Sequence, residues 1–153
     1  MTPTKETIVI RHILIPTDGS ECATAALEQA VSFAVELKAR VTFLVVTEPF
    51  RLLSVEVAQL ERIRSEFTQY EGERAKHILD RARAVAEKEF VPCTVSMMEH
   101  PEPYEAIIET GQRCGAGMIA MGSHGLGGVR AIVLGSVTQK VLTHCRIPVV
   151  VYR

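Results

Sequence analysis

The residues best placed to do chemistry are glycines. Met121-Gly-Ser-His-Gly-Leu-Gly-Gly-Val-Arg-Ala-Ile-Val-Leu-Gly-Ser136 follows a short apolar run and leads into a helical pattern. Glycine removes the Cβ that keeps a ligand off the backbone and permits positive φ, so successive N–H groups can converge on the oxygens of an anion. Gly122, Gly125, Gly127 and Gly128 supply that freedom. Gly135 and Ser136 stand near the start of the last helical segment, where unpaired N–H groups and the positive end of the macrodipole favour a phosphate. Ser136 adds a hydroxyl. The loop leaves the strand candidate Met118–Met121 at its carboxyl end, where an open parallel sheet presents its ligand crevice. No Gly-Lys-Ser/Thr closes the stretch and Gly-x-Gly-x-x-Gly is absent, so neither common nucleotide loop fits.

Asp18 is a carboxylate in the loop after the first strand candidate, and in a parallel sheet that loop opens on the same edge as the glycines. The two can meet across one crevice, although a turn or capping role explains an aspartate there equally well. His124 invites a catalytic reading, because an imidazole beside phosphates can act as acid, base or charge partner. No second His, Asp or Glu within the loop completes an acid–base pair, so no catalytic residue is expected. Arg130 is either a screen for phosphates or a solvated loop cation. His12, His77, His100 and His144 show no metal-ligand spacing; His144 and Arg146 lie where a helix C-terminus favours positive charge. No protein metal site is expected.

These groups need a scaffold, and the chain alternates strand and helix patterns. His12–Pro16 reads as a short buried strand, followed by the turn residues Thr17-Asp-Gly-Ser20 and an amphipathic helix over Ala23–Leu37. Val41–Val46 is nearly continuous in apolar and β-branched character, as a central parallel strand requires. Residues 50–89 are helix-compatible, with a break or kink expected at Gly72. Pro92–Met98 is a third strand, Pro101 and Pro103 introduce a helix over Tyr104–Cys114, and the glycine loop is followed by a helix of roughly Leu134–Cys145 and a strand at Ile147–Tyr152. Five strands alternating with four helices predict one α/β domain: an open, twisted, parallel five-stranded sheet with helices on both faces. Residues 1–11 are a lead-in and 12–153 the domain.

Composition narrows the partners. The 153 residues fit one core, and a formal net charge of -1 gives no general electrostatic reason to bind nucleic acid or an anionic membrane. Cys22, Cys93, Cys114 and Cys145 are widely spaced, with no Cys-x-x-Cys pair, and are expected to be buried free thiols. The opening Met-Thr-Pro-Thr-Lys-Glu-Thr has no long apolar core and no run approaches ~18 apolar residues, so the expectation is a soluble cytoplasmic protein.

Gly122-x-x-Gly125, nine residues, then Gly135-Ser136 resembles the signature of the ATP-binding branch of the universal stress protein family. The likeness continues through Ile13-Leu-Ile-Pro-Thr-Asp-Gly-Ser20 and Ile147-Pro-Val-Val-Val151, so it covers nearly the whole chain. It implies a Rossmann-like sheet of the adenine nucleotide alpha hydrolase-like kind, strand order 3-2-1-4-5, binding ATP or AMP. Asp18, with Pro16 and Thr17, would contact the adenosine. Val46 would offer its backbone to the adenine edge, and Met121 would flank the sugar or base. Gly122, Gly125, Gly135 and Ser136, followed by Val137 and Thr138, would receive the phosphates. Any Mg²⁺ would be held mainly by phosphate oxygens and water. Two positions depart from the family pattern: Pro101-Glu-Pro103 replaces Gly-x-Pro beside the nucleotide, and Gly117 replaces an acidic residue before the fourth strand.

The function implied is a nucleotide-responsive regulatory protein rather than an enzyme, with any ATP hydrolysis slow. A nucleotidyltransferase or ATP pyrophosphatase of the same α/β type is the alternative, but His-x-Gly-His and Ser-Gly-Gly-x-Asp-Ser are both missing. A nucleotide-free dimerising scaffold is the other, and its branch lacks the glycine spacing that this chain keeps. Ile147–Tyr152 is expected at a sheet edge. Its run of valines without a charge calls for cover by the same strand of a second copy.

Overall fold

The computed structural model describes residues 9–51, 57–125 and 134–153. Its elements are β1 (His12–Pro16), α1 (Glu21–Leu37), β2 (Arg40–Thr47), α2 (Val57–Lys88), β3 (Cys93–Glu99), α3 (Pro103–Arg113), β4 (Met118–Gly122), α4 (Ser136–His144) and β5 (Val149–Tyr152). The strands form one parallel sheet in the order β3-β2-β1-β4-β5. The order reverses between β1 and β4, and there the crevice at the carboxyl ends of the strands opens.

Strand alternation divides the interior in two. Ile13, Ile15, Val41, Phe43 and Val45 face α1 and α2, while Leu14, Leu44, Ile119 and Met121 face α3 and α4. Full burial of each such side chain contributes about 1.5–3 kcal/mol, so the central strands anchor everything that hangs from their ends. Ile10 packs against the first core, so the buried chain begins inside the lead-in. Its Cα would lie 3.6 Å from a Cβ on Gly117. Among the described residues no helix is long and apolar enough to cross a membrane.

The helix ends follow from local chemistry. Ser20 caps α1 by accepting the Ala23 N–H at 3.1 Å, and Lys38 ends it in the left-handed region at φ 51°. Four expectations change. α2 runs unbroken through Gly72, where an added Cβ would meet nothing within 4 Å, because a solvent-facing glycine lowers helix propensity without interrupting the hydrogen-bond ladder. α3 starts at Pro103, whose missing N–H suits a first-turn position, and α4 is shorter than expected because Gly135 is its cap. The four cysteines are free but only half-buried.

One buried polar chain crosses the sheet. His12 Nδ1 lies 3.0 Å from the Cys114 carbonyl, which only accepts, so Nδ1 carries the proton and Nε2 accepts from the Thr42 hydroxyl at 2.7 Å. Thr42 in turn accepts from Thr94 at 2.8 Å. Burial holds the His12 pKa below its ordinary value and the Arg40 charge adds to this, against the opposing bond to Cys114. Folding therefore favours the neutral ring. Its contribution to stability is complete above the ordinary pKa of 6.5 and is lost as pH falls below it toward the lowered folded value. The urea midpoint should drop between about pH 6.5 and 5, and His12→Gln should flatten that slope while costing about 1–3 kcal/mol at neutral pH. An unchanged slope in the variant would assign the acid sensitivity elsewhere.

Candidate functional site

The loop after β1 is built to aim a carboxylate. The Thr17 N–H donates to the Leu44 carbonyl at 2.9 Å, fastening the loop to β2, and Asp18 Oδ1 accepts the Ser20 N–H at 3.0 Å. Gly19 turns the chain at φ +78°, and a Cβ there would also press on the Ile78 side chain at 2.9 Å. Asp18 Oδ2 thereby faces Gly125, so closely that any Cβ on Gly125 would overlap it. The loop after β1 and the glycine loop do meet across one crevice.

The two ends of the glycine loop are tied together. The Ser123 N–H donates to the Tyr152 carbonyl at 2.8 Å, the Gly135 N–H to the Ser123 carbonyl at 2.6 Å, and the Thr138 hydroxyl to the Gly122 carbonyl at 2.9 Å. Gly135 caps α4 without a side chain, so the cap residue itself offers no oxygen to the first-turn N–H groups. Gly127, Gly128 and Arg130 lie outside the described residues.

Every residue named above for nucleotide contact lines one cavity of about 690 Å³. Pro16, Thr17 and Asp18 come from the end of β1 and its loop, Val46 from β2, Met121 and Gly122 from β4, and Gly125 from the glycine loop; Gly135, Ser136, Val137 and Thr138 open α4. The cavity has a wall that the sequence did not announce. Phe67, Tyr70, Glu71 and Arg74 of α2, with Glu48 beyond β2, close the side opposite α3 and α4. Charges on one face of an amphipathic helix look alike whether they meet solvent or a crevice, so no sequence signal separates these.

His124 also lines the cavity, but its Nδ1 shares a hydrogen bond with Ser123 Oγ and lies 3.8 Å from Cys22 Sγ. Neither of these two partners is a carboxylate. The Pro101–Pro103 turn is held from both sides: the Glu102 N–H donates to His100 Nδ1 at 3.0 Å, and its carboxylate pairs with Lys140 of α4 at 3.0 Å. That ion pair is half exposed and contributes little energy, while the two prolines fix φ at their own positions. Among the described residues no group of three or more His, Cys, Asp or Glu side chains is positioned to hold a metal ion.

The sequence matches the Universal stress protein family over residues 10–153. It is 30% identical over 143 residues to Universal stress protein MJ0531 of Methanocaldococcus jannaschii, covering 94% of this chain and 82% of that one. Among solved structures, hypothetical protein MJ0577 superposes with a TM-score of 0.79 at 29% identity, covering 94% of this chain and 95% of the other. A universal stress protein in complex with cAMP gives a TM-score of 0.70 at 18% identity, covering 95% and 98%. One from Archaeoglobus fulgidus in complex with dAMP gives 0.63 at 19%, covering 96% and 100%. At those identities the last two speak for the fold alone.

Proposed function

Since the chain belongs to the universal stress protein family, we propose that its cavity is an adenine-nucleotide site and that the protein is a nucleotide-responsive regulatory dimer. The observation that carries this is the fit of Gly125 against the Asp18 carboxylate, in the cavity that the glycine-capped start of α4 also lines. A carboxylate accepts ribose hydroxyls, and a glycine backbone beside a glycine-capped helix start receives phosphates. One crevice thus offers an acceptor beside backbone donors, as a nucleoside phosphate requires.

In this reading Asp18, Pro16 and Thr17 hold the adenosine, the Val46 backbone meets the adenine edge and Met121 flanks it. The phosphates lie along Gly122, Gly125, Gly135 and Ser136, with Val137 and Thr138 completing the first turn of α4. ATP or AMP fits that description, and a Mg²⁺ ion would ride on the phosphate oxygens and water. In this reading the protein acts by binding rather than turnover.

Calorimetric titration with ATP should show saturable heat at micromolar affinity, with cAMP and dAMP as the first competitors to try. No heat would leave the nucleotide-free scaffold as the better reading. Hydrolysis, if measurable, should change less than about tenfold in His124→Ala. A fall of about a hundredfold with affinity retained would make the protein an enzyme.

A further inference from the structure

The α2 wall carries an arrangement that the ATP-loop signature does not contain. α2 has 32 residues and so spans about 48 Å. Ala75, Leu79, Ala82 and Ala86 bury its second half against the sheet, and Phe67, Tyr70, Glu71 and Arg74 of the preceding turns line the cavity. Arg74 stands one turn before Ile78, whose side chain fills the space over Gly19. This part of the helix therefore rests on the loop that presents Asp18.

Among the described residues that line the cavity, Arg74 is the one lysine or arginine, and it shares the wall with the carboxylates of Asp18, Glu48 and Glu71. Its guanidinium is forked onto Glu71, with Nε to Oε1 at 3.2 Å and Nη2 to Oε2 at 3.1 Å. The two side chains are 30% and 16% exposed, so solvent screens the pair only in part. Without Glu71 the guanidinium would present a full positive charge to the cavity. With Glu71 in place the fork is neutralised, and an entering anion must either share Arg74 or displace its partner.

We propose that the Glu71–Arg74 pair is a charge gate: Arg74 receives the phosphate chain of the nucleotide, and Glu71 sets how tightly that chain is held. The inference rests on the adenine-nucleotide reading and deepens it, because it makes the phosphates a requirement for tight binding. Guanidinium and phosphate match as planar fork and oxygen pair, and such charge-assisted bonds exceed neutral ones in strength. The competing carboxylate lowers affinity for any anion and leaves an uncharged nucleoside almost unaffected.

Titrations of ATP and adenosine into the wild type, Arg74→Ala and Glu71→Gln test this. Arg74→Ala should weaken ATP roughly tenfold to a hundredfold and flatten the dependence of its Kd on salt, with adenosine shifted less than about threefold. Glu71→Gln keeps the helix and the arginine, so it is informative even if the alanine variant folds poorly. It should tighten ATP several-fold and leave adenosine alone. Equal shifts for ATP and adenosine in Arg74→Ala, or ATP no tighter in Glu71→Gln, would overturn the gate while leaving the nucleotide site standing. A wild type that binds neither ligand would remove the site and the gate together.

Discussion

A single methyl group at position 125 is expected to abolish tight nucleotide binding. Valine there is excluded by bulk in any close-fitting loop, but the structure makes the sharper statement that Cβ itself is the obstacle, since it would overlap Asp18 Oδ2. To admit it, either the carboxylate leaves the direction fixed by its bond to the Ser20 N–H or the glycine loop lifts from the crevice. The first choice spoils the sugar contact and the second spoils the phosphate cradle. At micromolar affinity binding is worth about -8 kcal/mol, so losing ~3 kcal/mol raises Kd roughly a hundredfold. Gly125→Val should lose that much, and Gly125→Ala most of it. Because the collision has a named partner, the effect should be non-additive: in an Asp18→Ala background, Gly125→Ala should cost little more than Asp18→Ala alone. Full ATP affinity in a folded Gly125→Val protein would dispose of the backbone cradle.

The parts of this site that were legible in the sequence share one property, which is that their residue types are needed locally. A parallel sheet needs alternating strand and helix patterns, and its crevice lies at fixed strand ends, so the sequence alone assigns Asp18 and the glycines to one edge. Gly125 and Gly135 stand out because a side chain at either would meet something: Asp18 in one case, and the His124 backbone at 3.1 Å in the other. Gly72, by contrast, looked like a break in α2 and is only a helix residue with open space around it. The α2 wall was illegible for a geometric reason. Nothing in an amphipathic pattern says which turn of a 32-residue helix passes the end of the sheet, so Glu71 and Arg74 resemble any other surface i,i+3 pair. The His12–Thr42–Thr94 chain was hidden likewise, since it exists only through the register that sets β1 beside β2 and β2 beside β3.

Val151→Pro is expected to convert a dimer into a monomer, and the register of the last strand explains why position 151 is the one to change. β5 pairs with β4 and lies at the end of the sheet order. The Ile119 N–H donates to the Pro148 carbonyl and the Ser123 N–H to the Tyr152 carbonyl, so the even-numbered residues of this segment turn their backbone groups toward β4. By alternation Val150 does the same, while Val149 and Val151 point their N–H and C=O groups away from the sheet. A proline at Val150 would instead break the β4–β5 ladder and unfold the edge. Pro148 precedes the strand, so it offers no protection to the open side. An uncharged valine edge whose outward backbone groups meet no further strand among the described residues invites another strand, and pairing with the same strand about a two-fold axis closes the assembly at two chains. Light scattering should therefore give a dimer for the wild type at micromolar concentration. Val151→Pro, which removes an outward donor and leaves the β4 ladder intact, should give a folded monomer with little change in its thermal unfolding. A wild type that is monomeric, or a Val151→Pro protein that remains a normal dimer, would show that this edge is not the interface.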